Sequence, residues 1–203
     1  IKMINCKDFY EILIKNGIDF FTGVPDSLLK DFCAYVMDYT TGKNHVIAAN
    51  EGNAIALAAG YYLATGKFGL VYMQNSGLGN AVNPLTSLAD KEVYSIPMLL
   101  LIGWRGEHGV KDEPQHAKMG KITLELLDTL KIPYKILDEE YEKIINEAKQ
   151  YMEKNKAPIA IVVRKETFEE YKLKNNKQTN YELNREEAIK IIIPLLNDSD
   201  IIV

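Results

Sequence analysis

The chain has 203 residues, 47% hydrophobic and 26% charged, with a formal net charge of −4. That is enough for one domain with a full core and part of another, and the acidic balance leaves no electrostatic footprint for nucleic acid or an anionic membrane. Two cysteines, Cys6 and Cys33, make neither a disulfide framework nor a CxxC pair, and no signal-like stretch or membrane-spanning apolar run is present, so the expectation is a soluble cytoplasmic protein.

Lys7 to Asn16 reads as a helix with Phe9, Ile12 and Leu13 on one face, stopped by Gly17. Ile18 to Thr22 is a short strand leaving through Gly23-Val24-Pro25. Asp26 or Ser27 can then cap a helix carrying Leu28, Leu29, Phe32, Cys33 and Val36, which puts Cys33 on an apolar face as a buried thiol. After Gly42 a strand, His45 to Ala49, leads into the Ala-rich helix from Glu51 to Gly66. Phe68 to Met73 is a third strand, followed by Gln74 to Asn80 and a helix in which Pro84 occupies the first turn or makes a kink. Ile96 to Ile102 is apolar on both faces, as a central parallel strand should be. A long polar loop, Trp104 to Gly120, separates it from a helix through Ile122, Leu126 and Leu130. A strand (Tyr134 to Leu137), a helix (Tyr141, Ile144, Ile145, Ala148) and a last strand (Pro158 to Arg164) complete the series. Alternation of this kind predicts an α/β fold, an open, mostly parallel sheet with helices on both faces.

Beyond Arg164 the pattern changes. Residues 165–183 are charge-rich, lack glycine and proline, and read as a linker; Asn184 starts a new helix, and Asp200 to Val203 resembles a strand cut short. The expectation is one domain over residues 1–164 and the truncated start of a second over 184–203.

Ligands of open α/β sheets bind beyond the carboxyl ends of the strands, and four loops there carry polar chemistry. Gly23-Val24-Pro25-Asp26-Ser27 exposes an acid and a hydroxyl. Glu51 stands where a strand gives way to a helix N-terminus, a position that also suits a plain first-turn acid. Asn75-Ser76-Gly77-Leu78-Gly79-Asn80 permits close backbone approach; it partly mimics a dinucleotide fingerprint, but Val82 replaces the third glycine and the downstream acid is missing. Trp104 to His116 holds two of the three histidines, and its Arg105, Lys111 and His116 could hold a multiply charged anion, Arg105 through a bidentate fork.

Taken in order, Phe21 to Leu29, Asn50 to Ala54, Asn75 to Asn80, Arg105-Gly106 and Glu113 to His116 resemble the pyrimidine-binding domain of thiamine-diphosphate-dependent 2-oxoacid decarboxylases, in their phosphonopyruvate and sulfopyruvate branch. The resemblance covers about Asp8 to Arg164. It implies that Glu51 hydrogen-bonds N1′ of the cofactor's aminopyrimidine and so promotes the thiazolium ylid. It further implies that Asn75, Ser76 and Gly77 lie against the pyrimidine, and that Asp26 and His116 serve acid–base steps. Ser27, Arg105 and Lys111 are the candidates for an anionic 2-oxoacid, with 3-phosphonopyruvate giving phosphonoacetaldehyde and carbon dioxide, or sulfopyruvate as the rival substrate. Mg²⁺ and the diphosphate would be bound by a second domain that is missing here, since no Gly-Asp-Gly occurs, and no residue of this chain is assigned to metal. The partner implied is a homodimer or higher homo-oligomer, with neither nucleic acid nor membrane. The reading from another class is a nucleotide- or dinucleotide-binding module using Ser76 to Asn80 as its phosphate loop.

Overall fold

Three strands are apolar at nearly every position, and that decides the architecture. Phe68–Gln74 (β3), Leu99–Gly103 (β4) and Ile159–Val163 (β6) are buried along their length apart from Gln74, which requires a sheet covered on both faces. In the computed structural model, which describes residues 2–175 and 182–201, they join Ile18–Gly23 (β1), His45–Ile47 (β2) and Tyr134–Ile136 (β5). The six-stranded sheet has the order β2-β1-β3-β4-β6-β5, and every pairing is parallel.

Alternate residues of each strand feed opposite cores. Leu70, Tyr72, Leu99 and Leu101 meet Cys6–Lys15 (α1), Lys30–Tyr39 (α2) and Tyr141–Asn155 (α6), where Phe9, Phe32 and Ile145 are fully buried. Val71, Met73, Leu100 and Ile102 meet Glu51–Thr65 (α3), Leu78–Pro84 (α4) and Ala117–Thr129 (α5) through Ala54, Ile55, Ala58, Leu78 and Leu127. The small residues of α3 let it ride close to the sheet: an ideal Cβ on Gly69 would lie 3.2 Å from the Ala58 methyl and 3.3 Å from Phe20. Both cysteines are buried and free, and among the described residues no helix is long and apolar enough to cross a membrane.

The expected α/β sheet is therefore present, with differences in detail. Helix α2 starts only at Lys30, and its N-cap, Leu29, offers no side-chain bond; Asp26 instead accepts from the Leu28 amide at 2.9 Å and closes the turn before the helix. Pro84 ends α4, where the coil widens into a π turn over Leu85–Ala89, since proline has no N–H to continue the ladder. The long polar loop is shorter than expected because a 3₁₀ turn, Pro114–His116, runs straight into α5.

The stretch read as a linker packs on the domain at its start. Ile4 bridges Phe168, Phe168 is 5% exposed within the first core, and the Tyr171 hydroxyl donates to Asp38 at 2.8 Å. Residues 176–181 of that stretch lie outside the described residues, as do Ile202 and Val203 of the expected final strand. Asn184 caps Arg185–Ile192 (α7) through a capping box with Glu187, and Ile189, Ile191 and Ile192 on that helix stay about half exposed.

The close fit of α3 to β3 has a measurable consequence. Ala58→Leu forces extra methylenes into a filled interface and should lower the urea-unfolding free energy by about 1–3 kcal/mol. Ala64→Leu, at an exposed position of the same helix, should stay within about 0.5 kcal/mol of the parent.

Candidate active site

All six strands run parallel, so their carboxyl ends share one edge of the sheet, and the four polar loops converge there. The Ala48 amide extends the β2 pairing by donating to the Gly23 carbonyl at 2.9 Å. Asn50 then turns the chain into α3, its Oδ1 accepting from the Asn53 amide at 2.9 Å, as an N-cap residue should. Glu51 is thereby fixed as the first helical residue, where the helix dipole favours a carboxylate.

Its side chain does not point to bulk solvent. Glu51 is 9% exposed, and its carboxylate lies on the bare Cα of Gly77: an ideal Cβ there would be 2.4 Å from Oε1 and 2.5 Å from Cγ. The other oxygen, Oε2, accepts from Nδ2 of Asn80 on α4 at 2.8 Å. Glycine at position 77 thus makes the cradle in which the acid sits, and the Ser76 turn is in direct contact with it. Ser76 is exposed beside it, and its hydroxyl donates to Gln74 Oε1 at 2.9 Å.

Asn75 faces the other way. It is fully buried, and its Nδ2 donates to the Arg105 carbonyl and to the Thr123 hydroxyl, both at 2.8 Å, while its Oδ1 accepts from the Arg105 amide at 3.2 Å. Instead of offering its side chain to a ligand, Asn75 ties the exit of β3 to the exit of β4 and to α5.

On the far side of that tie stand Asp26, Ser27 and Arg105. Asp26 is 7% exposed, in space left open because Gly103 has no Cβ; one there would lie 2.2 Å from Asp26 Oδ2. Burial pushes the Asp26 carboxyl above the usual carboxylate range, against the Leu28 amide and the Arg105 charge. The Ser27 hydroxyl accepts from Arg105 Nη1 at 2.6 Å.

The bidentate fork expected to grip an anion is already closed: Nε and Nη2 of Arg105 clasp Asp112, with Nε 2.8 Å from Oδ2. The guanidinium, joined by the Gly106 and Glu113 amides, holds the Asp112 carboxyl well below its ordinary range. Nη1 and the second N–H of Nη2 lie outside that clasp. Arg105, Ser27, Lys111 and Lys165, together with the acids Glu107, Asp112 and Glu113, line a hollow of about 370 Å³. His116 is half-buried and does not line that hollow. Its carbonyl would lie 2.1 Å from a Cβ on Gly106, whose φ is +71°.

Sequence reasoning grouped Glu51 with Asn75, Ser76 and Gly77, Asp26 with His116, and Ser27 with Arg105 and Lys111; the structure sets Gly77 against Glu51 and Ser27 against Arg105, turns Asn75 inward, and leaves His116 outside the hollow that Ser27, Arg105 and Lys111 line. Sequence reasoning did not single out Asp112, Asn80, Thr123 or Lys165, nor the backbone crossing of Gly106 and Gly120, where a Cβ on Gly120 would lie 1.8 Å from the Gly106 carbonyl. An acid seven residues beyond an arginine in a loop was the only available signal for Asp112. The phosphate-loop alternative loses Gly77 to the Glu51 carboxylate, whereas Gly79, in the first turn of α4, faces open space.

Residues 6–127 match the family profile described as "Thiamine pyrophosphate enzyme, N-terminal TPP binding domain". The chain is 38% identical over 157 residues to sulfopyruvate decarboxylase subunit alpha of Methanococcus maripaludis, a match covering 76% of this chain and 90% of that protein. It is 37% identical over 142 residues to phosphonopyruvate decarboxylase of Streptomyces viridochromogenes, covering 70% of this chain but 35% of that protein. It therefore spans most of the first relative and about a third of the second. Benzoylformate decarboxylase from Polynucleobacter necessarius superposes with a TM-score of 0.65 over 90% of this chain and 33% of that one, at 20% identity, a likeness of fold.

The raised Asp26 carboxyl makes a pH-dependent expectation. A folded state that holds this proton more firmly than the unfolded chain has that stability in full below the unfolded value, about 3.9, and loses it as pH rises from there through the raised folded value. Asp26→Asn keeps an acceptor for the Leu28 amide and should need more urea to unfold than the parent at pH 7, an advantage that disappears toward pH 3. A gain of equal size at both pH values would contradict the assignment.

Proposed function

Since the chain belongs to the thiamine pyrophosphate enzymes, as their N-terminal TPP-binding domain, we propose that it works in a thiamine-diphosphate-dependent decarboxylase of the sulfopyruvate and phosphonopyruvate type. The observation that carries this reading is the Glu51 carboxylate, screened from solvent and seated on the bare Cα of Gly77 at the sheet's carboxyl edge. The carboxylate has the Asn80 amide on Oε2 and an oxygen left over to share a proton with a ring nitrogen, and this is the respect in which the residues present fit the cofactor.

When bound, thiamine diphosphate supplies the electron sink that lets carbon dioxide leave a 2-oxoacid. Glu51 would hold the ring nitrogen of its aminopyrimidine and exchange a proton with it, with Ser76 and Gly77 alongside. Asn75 keeps that turn and Arg105 at a fixed separation. Asp26, with its carboxyl raised by burial, is suited to donate a proton. Ser27, Arg105 and Lys111 would meet the acidic head group of the substrate, in a hollow whose lining also carries Glu107, Glu113 and the Asp112 that Arg105 neutralises. His116 acts, in this reading, in the loop behind them.

Two substrates meet that description. 3-Phosphonopyruvate is the one expected from the sequence; sulfopyruvate is supported by the match to most of an alpha subunit. Both carry a tetrahedral oxyanion on the carbon next to the ketone. Residues 184–203 we assign to the start of a second domain, and Mg²⁺ and the diphosphate to that domain or to a companion subunit, so that the working enzyme is an oligomer.

In the complete enzyme, Glu51→Gln should lower turnover by about 10²–10⁴-fold with the circular-dichroism spectrum unchanged. Turnover within about twofold of the parent would remove Glu51 from the chemistry. Parallel assays with both oxoacids decide the substrate: the cognate one should have the higher kcat/KM, and sulfopyruvate winning would overturn the phosphonopyruvate reading.

A further inference from the structure

Asn80 has no part in the scheme above, yet its side chain touches the Glu51 carboxylate, with Nδ2 2.8 Å from Oε2. Its reach is set by close packing of two helix starts: a Cβ on Gly52, one residue beyond Glu51, would lie 3.1 Å from the Asn80 carbonyl. The two carboxyl oxygens of Glu51 are therefore not equivalent. Oε2 faces an amide NH₂, which can only donate, and a hydroxyl proton on Oε2 could not share that line. Oε1 faces the backbone of Gly77.

We propose that Asn80 is a positioning residue for the reaction: it keeps Oε2 as an acceptor and so assigns the exchangeable proton of Glu51 to Oε1, the oxygen beside the Ser76–Gly77 turn. The inference rests on the cofactor reading above. Were Glu51 to pass its proton to the ring nitrogen of a bound aminopyrimidine, the Oε1–H bond would break as the N–H bond formed, the pair would stay on the carboxylate, and the Asn80 hydrogen bond would become charge-assisted and stronger. When the proton returns, the same bond weakens without the side chain having to turn. Glu51 can thus cycle between its two states in place.

The test is calorimetric binding of two ligands to the complete enzyme carrying Asn80→Asp or Asn80→Ala. The ligands are thiamine diphosphate and its analogue in which ring N1′ is replaced by C–H. Asn80→Asp is nearly isosteric but replaces the donor with a second carboxylate. It should weaken thiamine diphosphate binding by about tenfold or more and should be worse than Asn80→Ala, with the analogue bound within about twofold of the parent by both variants. A role in helix packing alone gives the reverse order, alanine worse than aspartate, with both ligands losing affinity in parallel; either result overturns the proposal. If the parent itself binds the analogue as tightly as thiamine diphosphate, the Glu51 reading fails, and the role of Asn80 fails with it for a separately visible reason.

Discussion

The site depends on a carboxylate resting where a side chain would otherwise be. Glu51 occupies space available only because residue 77 is glycine, and it is held there by a helix N-terminus on one side and an amide donor on the other. The acid is enclosed by backbone on the Gly77 side and meets the Asn80 amide on the other. The sheet exists, in functional terms, to hold β2 and β3 in the relative position that sets α3 against the Ser76 turn.

Asn75 extends that constraint to the other half of the site. By spending both ends of its amide on Arg105 and its donor again on Thr123, it converts three separate elements into one rigid corner. Arg105 is held twice, by Asn75 at its backbone and by Asp112 at its guanidinium, and its Nη1 turns to Ser27 beside the hollow. Because most of the arginine's donors are already committed inside the protein, that Nη1 edge has a defined direction, which favours recognition over mere attraction.

Much of this was legible in the residues. The strand and helix order followed from the two periodicities, because buried parallel strands such as Leu99–Gly103 and amphipathic helices such as α6 leave different patterns. Glu51 and the glycine turn stood out since both lie at strand ends. What could not be read were contacts made by folding alone. The Arg105–Asp112 clasp forms inside one loop and could equally have been two solvated charges. The crossing of Gly106 over Gly120 has no sequence signature beyond two glycines. Phe168 looked like part of a charged linker because its burial depends on α1 and α2, more than a hundred residues earlier. The exchange of Asn75 from ligand contact to internal brace followed from a rotamer, which no spacing records.

The central claim is that Oε1 of Glu51 meets the aminopyrimidine of the cofactor. A crystal structure of the complete enzyme with thiamine diphosphate measures this directly. Oε1 should lie at about 2.6–3.2 Å from ring N1′, with Oε2 still on Asn80 and the ring beside the Ser76–Gly77 turn. A ring seated away from Glu51, or presenting a carbon edge to it, would contradict the account.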